Sequence, residues 1–358
     1  MSLVIYLLCI FIFCYFGSFR EQKWAIFFRM LACICFVGMI GLRSPLVGVD
    51  SLTYYRHFYT YGNFGCHFVE QGFDLLTRIL YHMGQEYTSL FFACALLTAI
   101  PIFLTLERCE HYLASSLMLY SLSLVMCVNG IRQVVVCGMF LYAIKYIENR
   151  NIIKYVFFII IGYFFHASVL ILLPLYFVLN MKYSNKVYIL FYLLSFVFVL
   201  IPPSSIIEAI LSHLNFGLRD YSKLHSDVGV ETASTLGFVY ASILRLLIFF
   251  LILKTQSVEN KCVLTNLVFL SIVLPNLGYF IPLFSRITMY FTWFSYLLVP
   301  YLLAKYCQGF HNKYIQISLL FVFLYSIGFC NSILSKSNKM LPYTFCWEYD
   351  NHKKSIYN

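Results

Sequence analysis

The sequence predicts an all-α, polytopic integral membrane protein of about twelve transmembrane helices, and three observations carry that prediction. Of its 358 residues, 61% are hydrophobic and only 11% are charged, whereas a water-soluble domain carries roughly 25% charge. Mean hydropathy is +0.80. Apolar runs of about 15–20 residues, the length a helix needs to cross a bilayer core, recur from one end of the chain to the other.

The elements follow in order. Residues 2–18 lack a basic start and a convincing cleavage site, so they read as a retained first span and not as a signal peptide. Further spans are expected at 24–42, 87–105, 113–128, 131–147, 152–165, 167–180, 187–201, 237–254, 262–281, 285–304 and 314–330. The pair 152–165 and 167–180 is short for a hydrocarbon core and is expected to tuck among neighbouring helices or to insert only partly. Two connections are long. Residues 43–86 carry turn signals at Gly62-Asn63 and Gly65, and residues 202–236 begin with Pro202-Pro203, which ends the preceding span. The whole chain, 1–358, reads as a single transmembrane domain.

Charge sets the orientation. The chain carries a formal +10, yet its basic residues form no stripe of the kind nucleic acid requires, so no nucleic-acid partner is expected. Arg20, Lys23, Arg108, Lys145, Arg150, Lys154, Lys182, Lys186, Lys254, Lys261, Lys305 and Lys313 fall in alternate connections if the N-terminus lies outside. Both long connections and the tail 331–358, with Trp347 and several tyrosines suited to the interface, then lie outside. The 13 cysteines form no Cys-x-x-Cys pair and no zinc-like spacing, so neither metal nor cofactor is expected.

With this threading, ionisable residues beside the spans collect on the outer face: Arg43, Asp50, Glu70, Asp74, Arg132, His166, Arg219, Asp220 and Arg286. Such groups are costly beside hydrocarbon, so their gathering suggests a site for charged or polyhydroxylated substrates. Arg43 leaves the second span in Gly41-Leu-Arg-Ser-Pro-Leu-Val-Gly48-Val-Asp50, where Pro45 and Gly48 free backbone N–H groups that suit an anion. The plainer reading of Arg43 is an interfacial arginine paired with Asp50. Glu70 and Asp74 stand at i, i+4, so one helix face can present both carboxylates, or one can cap the helix. Arg132 lies in the first turn of its span, where the helix dipole disfavours a cation. An anionic partner, either a phosphate or one of those carboxylates, explains it better. His166 ends the span 152–165 and reads equally as a helix cap or as a functional group, either a general base or a hydrogen-bond donor to phosphate. Arg286, four residues before Tyr290, mirrors Arg132 at another outer helix start.

These pieces resemble the EpsG family of exopolysaccharide polymerases, relatives of Wzy-type O-antigen polymerases. The resemblance rests on Arg43 with Gly48-Val49-Asp50 and Tyr54, Glu70-Gln-Gly72-Phe73, Ile131-Arg132-Gln133, Phe165-His166-Ala167-Ser168, and Arg286 with Tyr290, in that order. Position 49 is Val where the family pattern has Thr. The resemblance implies a multi-pass protein of the bacterial inner membrane with its active site facing the periplasm or exterior. It implies a glycosyltransferase that moves a growing glycan from undecaprenyl pyrophosphate onto a carrier-linked oligosaccharide repeat, for O-antigen, capsule or exopolysaccharide. Its partners would be that lipid-linked oligosaccharide, membrane lipid and a chain-length regulator. Arg132 and Arg286, with Arg43 in support, would hold the pyrophosphate; Asp50, Glu70 or His166 would be the base; Asp74 and Tyr290 would assist. A lipid-linked oligosaccharide flippase and a membrane O-acyltransferase using His166 are the rival readings. Flipping of labelled carrier lipid by the protein alone, or dependence on an acyl donor, would favour one of them.

Overall fold

The computed structural model describes residues 6, 8, 24–63, 65, 70–200, 235–255, 262–277 and 282–349. Among these residues the chain is helical, with no strand and a single isolated bridge between Arg43 and Phe345. Nearly all of the expected first span, and residues 201–234 with Arg219, Asp220, Lys223 and His225, lie outside the described residues.

The apolar runs become α1 (Ala25–Gly41), α4 (Tyr87–Leu106), α7 (Ile131–Glu148), α8 (Ile152–Phe165), α10 (Asn185–Leu200), α11 (Thr235–Lys254), α12 (Cys262–Leu277), α13 (Pro282–Tyr306) and α14 (His311–Leu334). The connection 43–86 holds two helices of its own, α2 (Ser51–Tyr61) and α3 (Gln71–His82). The run expected at 113–128 divides at Ser123 into α5 (Tyr112–Leu122) and α6 (Leu124–Asn129). The Ser121 hydroxyl, just before that division, bonds back to the Leu117 carbonyl, an interaction that competes with the helical ladder. The run expected at 167–180 is not one helix either: it is a 3-10 turn, Ala167–Leu172, and one further turn, α9 (Leu175–Val178). Leu173 and Pro174 both keep helical dihedrals, but Pro174 lacks the N–H that would continue the hydrogen-bond ladder across this point.

The chain forms two compact units, residues 1–181 with 293–358, and residues 182–292. In the first, α4 packs between α1 and α7, and α7 packs in turn on α8. One cluster in this unit joins Tyr54 and Phe58 of α2, Phe73 of α3, Tyr87, Leu90 and Phe91 of α4, and Ile131 and Val135 of α7. The helices α2 and α3 of the 43–86 connection are thereby fixed to α4 and α7 by buried apolar area, at roughly 25 cal/mol per Å². In the second unit, α10 and α12 are joined by polar contacts: Tyr188 donates to Asn266 Oδ1 at 2.5 Å, and Asn276 donates to Ser195 Oγ at 2.8 Å.

The tail of the first unit is stitched to the exit of α1. The Ser44 and Gly48 N–H groups donate to the Thr344 and Lys339 carbonyls, and the Cys346 N–H donates to the Leu42 carbonyl. The Tyr343 hydroxyl donates to the Met39 carbonyl at 2.7 Å. Gly48 has φ +95°, a conformation costly for any residue with a Cβ. The backbone N–H groups expected to suit an anion are thus taken up by the tail and by the Asn129 side chain, which accepts from the Val49 N–H.

Candidate functional site

The site is built where α3, α7 and α8 meet in the first unit. Glu70 stands at the N-cap position of α3 but makes no side-chain cap bond. Its carboxylate faces away from its own helix, to residues far along the chain. One oxygen takes Arg132 Nη1, in the first turn of α7. The other lies 2.9 Å from His166 Nδ1 at the end of α8 and accepts the Ala167 N–H at 3.3 Å. His166 is itself placed by a change of conformation, because the backbone leaves the helix at φ −159°, ψ 111° there.

Close approach of α3 to α8 makes this possible. A Cβ on Gly72 would lie 2.7 Å from Phe164 Cβ and 2.8 Å from the Phe164 carbonyl oxygen. Only glycine lets the two helices meet here, and Glu70 is two residues away.

Burial pushes the Glu70 carboxyl up, but the His166 hydrogen bond and then the Arg132 charge outweigh it and bring the pKa from 4.5 down to about 2. An ionised carboxylate only accepts hydrogen bonds, so the proton of the His166 contact sits on Nδ1. In the neutral ring Nε2 is then the nitrogen with the lone pair. Arg132 lies over Phe73, its Cζ 5.8 Å from the ring centroid, with the Tyr54 phenol against it. Its side chain is 26% exposed.

Asp74, one turn along α3 from Glu70, has Oδ1 3.9 Å from His57 Nε2. The His57 pKa is pushed down by burial, with Asp74 acting against the shift and Arg132 adding to it. His57 was not among the residues singled out from the sequence. A signal for it existed, because Asp50, Tyr54 and His57 recur at i, i+4 and i+7 and so share one face of α2.

Arg43 and Asp50, also in the first unit, are not among the partners of the Glu70 carboxylate. Arg43 is fully enclosed: it donates to the Ile40 carbonyl, to the Val128 carbonyl at 3.1 Å and to Ser51 Oγ at 3.2 Å. Its Cζ sits 4.0 Å over the Phe91 ring. Asp50 is exposed at the N-cap position of α2. Arg286 and Tyr290 belong to the second unit, Arg286 exposed and Tyr290 buried. Among the described residues no cluster of His, Cys, Asp and Glu suited to a metal ion occurs.

The EpsG family model matches residues 26–345. The chain belongs to the EpsG family. Members of that family are Wzy-like polymerases, and the match takes in Glu70, Arg132 and His166 together. No curated protein and no solved structure matches the chain. Among the described residues of this EpsG-family protein, three helices, Tyr87–Leu106, Arg286–Tyr306 and Asn312–Leu334, are long and apolar enough to cross a bilayer. Several shorter apolar helices accompany them, and with the family they mark a membrane protein.

Proposed function

We propose that the chain is a glycan polymerase that transfers a growing glycan from undecaprenyl pyrophosphate to a hydroxyl of a second lipid-linked repeat unit. The reading extends to about twelve spans and to a reaction at the outer face of the inner membrane. The observation that carries it is the Glu70 carboxylate shared between Arg132 and His166, drawn from three separate helices.

Of the three residues left open as base, the geometry favours His166. A carboxylate with its pKa near 2 has little affinity for a proton. Glu70 instead orients the imidazole and stabilises the imidazolium that forms. His166 Nε2 takes the proton of the acceptor hydroxyl, and that oxygen forms the new glycosidic bond to the anomeric carbon of the donor. The bond from that carbon to the diphosphate oxygen breaks, and the lipid diphosphate leaves with the electron pair. Arg132 has N–H groups beyond the one on Glu70 and offers them to the departing oxygens, whose charge grows as the bond breaks. Arg286, which the family resemblance implies as a further diphosphate contact, belongs to the second unit and has no part in this arrangement. Asp74 and Asp50 border the acceptor, and Arg43 supports the site from behind by holding the α1 exit in place.

The test is the surface-glycan ladder of cells carrying single substitutions. Glu70→Gln, His166→Gln and Arg132→Ala should each leave one-repeat stubs while the protein still inserts at parental level. A parental ladder in all of them would remove the assignment.

A further inference from the structure

We infer that the stacked pair Phe345–Trp347 on the tail is a saccharide platform over which the glycan lies next to the Glu70 cluster. The two rings are parallel within 8°, with centroids 4.4 Å apart. Phe345 covers one face of the indole, and Trp347 is 49% exposed. The stack is held in place. Phe345 is bridged to Arg43, the Cys346 N–H donates to Leu42, and Tyr343 meets Phe345 edge-on at 5.2 Å.

A fixed, flat aromatic face suits a pyranose ring. Its axial C–H bonds are positively polarised and settle on the electron-rich face of the indole, while its hydroxyls point outward to polar neighbours. Those neighbours are present. Glu348 is exposed beside the indole, its carboxylate accepting the Phe345 N–H at 3.3 Å. The Tyr349 ring lies 5.6 Å from Tyr55 of α2. A carboxylate next to the ring argues against insertion into acyl chains, where an ionised group is expensive.

The platform is continuous with the site already described. Cys346 packs against the cluster that contains Tyr54, Phe73 and Ile131, the apolar surroundings of Arg132. Tyr55, the neighbour of Tyr54, carries the contact to Tyr349. A glycan with its reacting end at His166 can therefore rest its next sugars on Trp347, and longer glycans gain a contact that a single repeat lacks. This reading of the ligand rests on the polymerase assignment, although the ring geometry does not.

The chain has three tryptophans, Trp24, Trp293 and Trp347, and Trp293 is fully buried. In full-length Trp24→Phe protein, Trp347 is then the only exposed indole. Titration of that protein in detergent with delipidated surface polysaccharide from the parent cell should change its fluorescence saturably. Phe345→Leu, which removes the backing ring and keeps the probe, should weaken the binding severalfold. In cells, Trp347→Ala and Trp347→Leu should both shorten the ladder severalfold, and Trp347→Phe should keep it near parental length. The leucine arm separates the two roles of an exposed indole, because a lipid anchor tolerates leucine and a sugar platform does not. A parental ladder with Trp347→Leu, or no fluorescence change up to millimolar repeat units, overturns the proposal. If Trp347→Leu fails to accumulate, the titration alone decides. Loss of the polymerase reading has its own signature, a parental ladder in Arg132→Ala whatever the titration shows.

Discussion

Arg43 and Arg132 stand on adjacent parts of one apolar cluster, yet their surroundings differ in kind. Arg43 is sealed, and its nitrogens reach two backbone carbonyls and a serine hydroxyl while its flat face lies on Phe91. To take a phosphate it would have to abandon those acceptors, each costing about 1–3 kcal/mol when left buried without a partner. Arg132 is partly exposed, and its fixed partner is a carboxylate that His166 also uses. A cation sealed among backbone carbonyls and a hydroxyl holds a fold together, while one that shares an acidic side chain keeps donors for a visitor. The sequence places both at the outer ends of spans and does not separate them.

Substitutions at the two positions should therefore fail in different ways, and Arg132 should give the larger effect on chemistry. Arg132→Ala is expected to lower polymer formation by about 100–1000-fold, the usual cost of removing a transition-state donor. Ladder analysis at constant, tag-measured protein level checks this. Arg132→Lys should recover only part of it, because a point charge cannot make the two-pronged contact of a guanidinium. Arg43→Ala should instead reduce the amount of folded protein and its melting temperature in detergent, by about 3 kcal/mol or more of stability. What polymer remains should scale with the protein that remains. The distinction collapses if Arg43→Ala accumulates normally and makes only stubs.

Much of the fold was legible because its signal is local. The spans expected at 24–42, 87–105, 131–147 and 152–165 lie within a residue or two of Ala25–Gly41, Tyr87–Leu106, Ile131–Glu148 and Ile152–Phe165. Apolar runs of that length report on themselves. The misses lie where a single residue decides, as at Ser123 and Pro174, or where polar helices hide in a connection, as Ser51–Tyr61 does. The site was legible in its residue types and, for Arg132, in the offer of a carboxylate partner at 70 or 74, but not in which pairs form. Glu70 and Asp74 at i, i+4 promised a shared face, but nothing local says that Glu70 meets Arg132 and His166, 62 and 96 residues away. Nor does anything local say that the tail closes over the exit of α1 and takes its N–H groups. Those are facts of packing between distant segments.

The contrast sharpens further at Gly72, where a smaller effect is expected. In Gly72→Ala the new methyl meets the Phe164 backbone and Cβ at under 3 Å, so α3 must back away from α8 at a cost of about 1–3 kcal/mol. Such a shift draws Glu70 from His166 more than from anything that holds Arg43. Polymer formation should fall about tenfold, since misplacement near 1 Å costs up to about 100-fold. Protein level should fall less than with Arg43→Ala. Equal loss of level in the two variants would mean that the α3–α8 contact supports the fold as a whole.

The smallest effect expected is one of pH on stability. The Glu70 carboxyl is held down from 4.5 to about 2 in the folded protein. Between these values the unfolded chain binds the proton and the folded chain does not, so stability from this group rises with pH across that window. It is complete above the upper value and is lost as pH falls toward the lower one. Melting temperature in detergent should therefore show no pH dependence from Glu70 between about pH 8 and 5, where its contribution is complete, and should fall more steeply below that. Glu70→Gln cannot titrate, so it lacks this part of the slope, and its curve should approach the parental one as the pH nears about 2. Parallel curves through the acid range would mean that Glu70 is not held ionised by Arg132 and His166. The imidazole would then lose its orienting partner, and the case for His166 over Asp50 as the base would go with it.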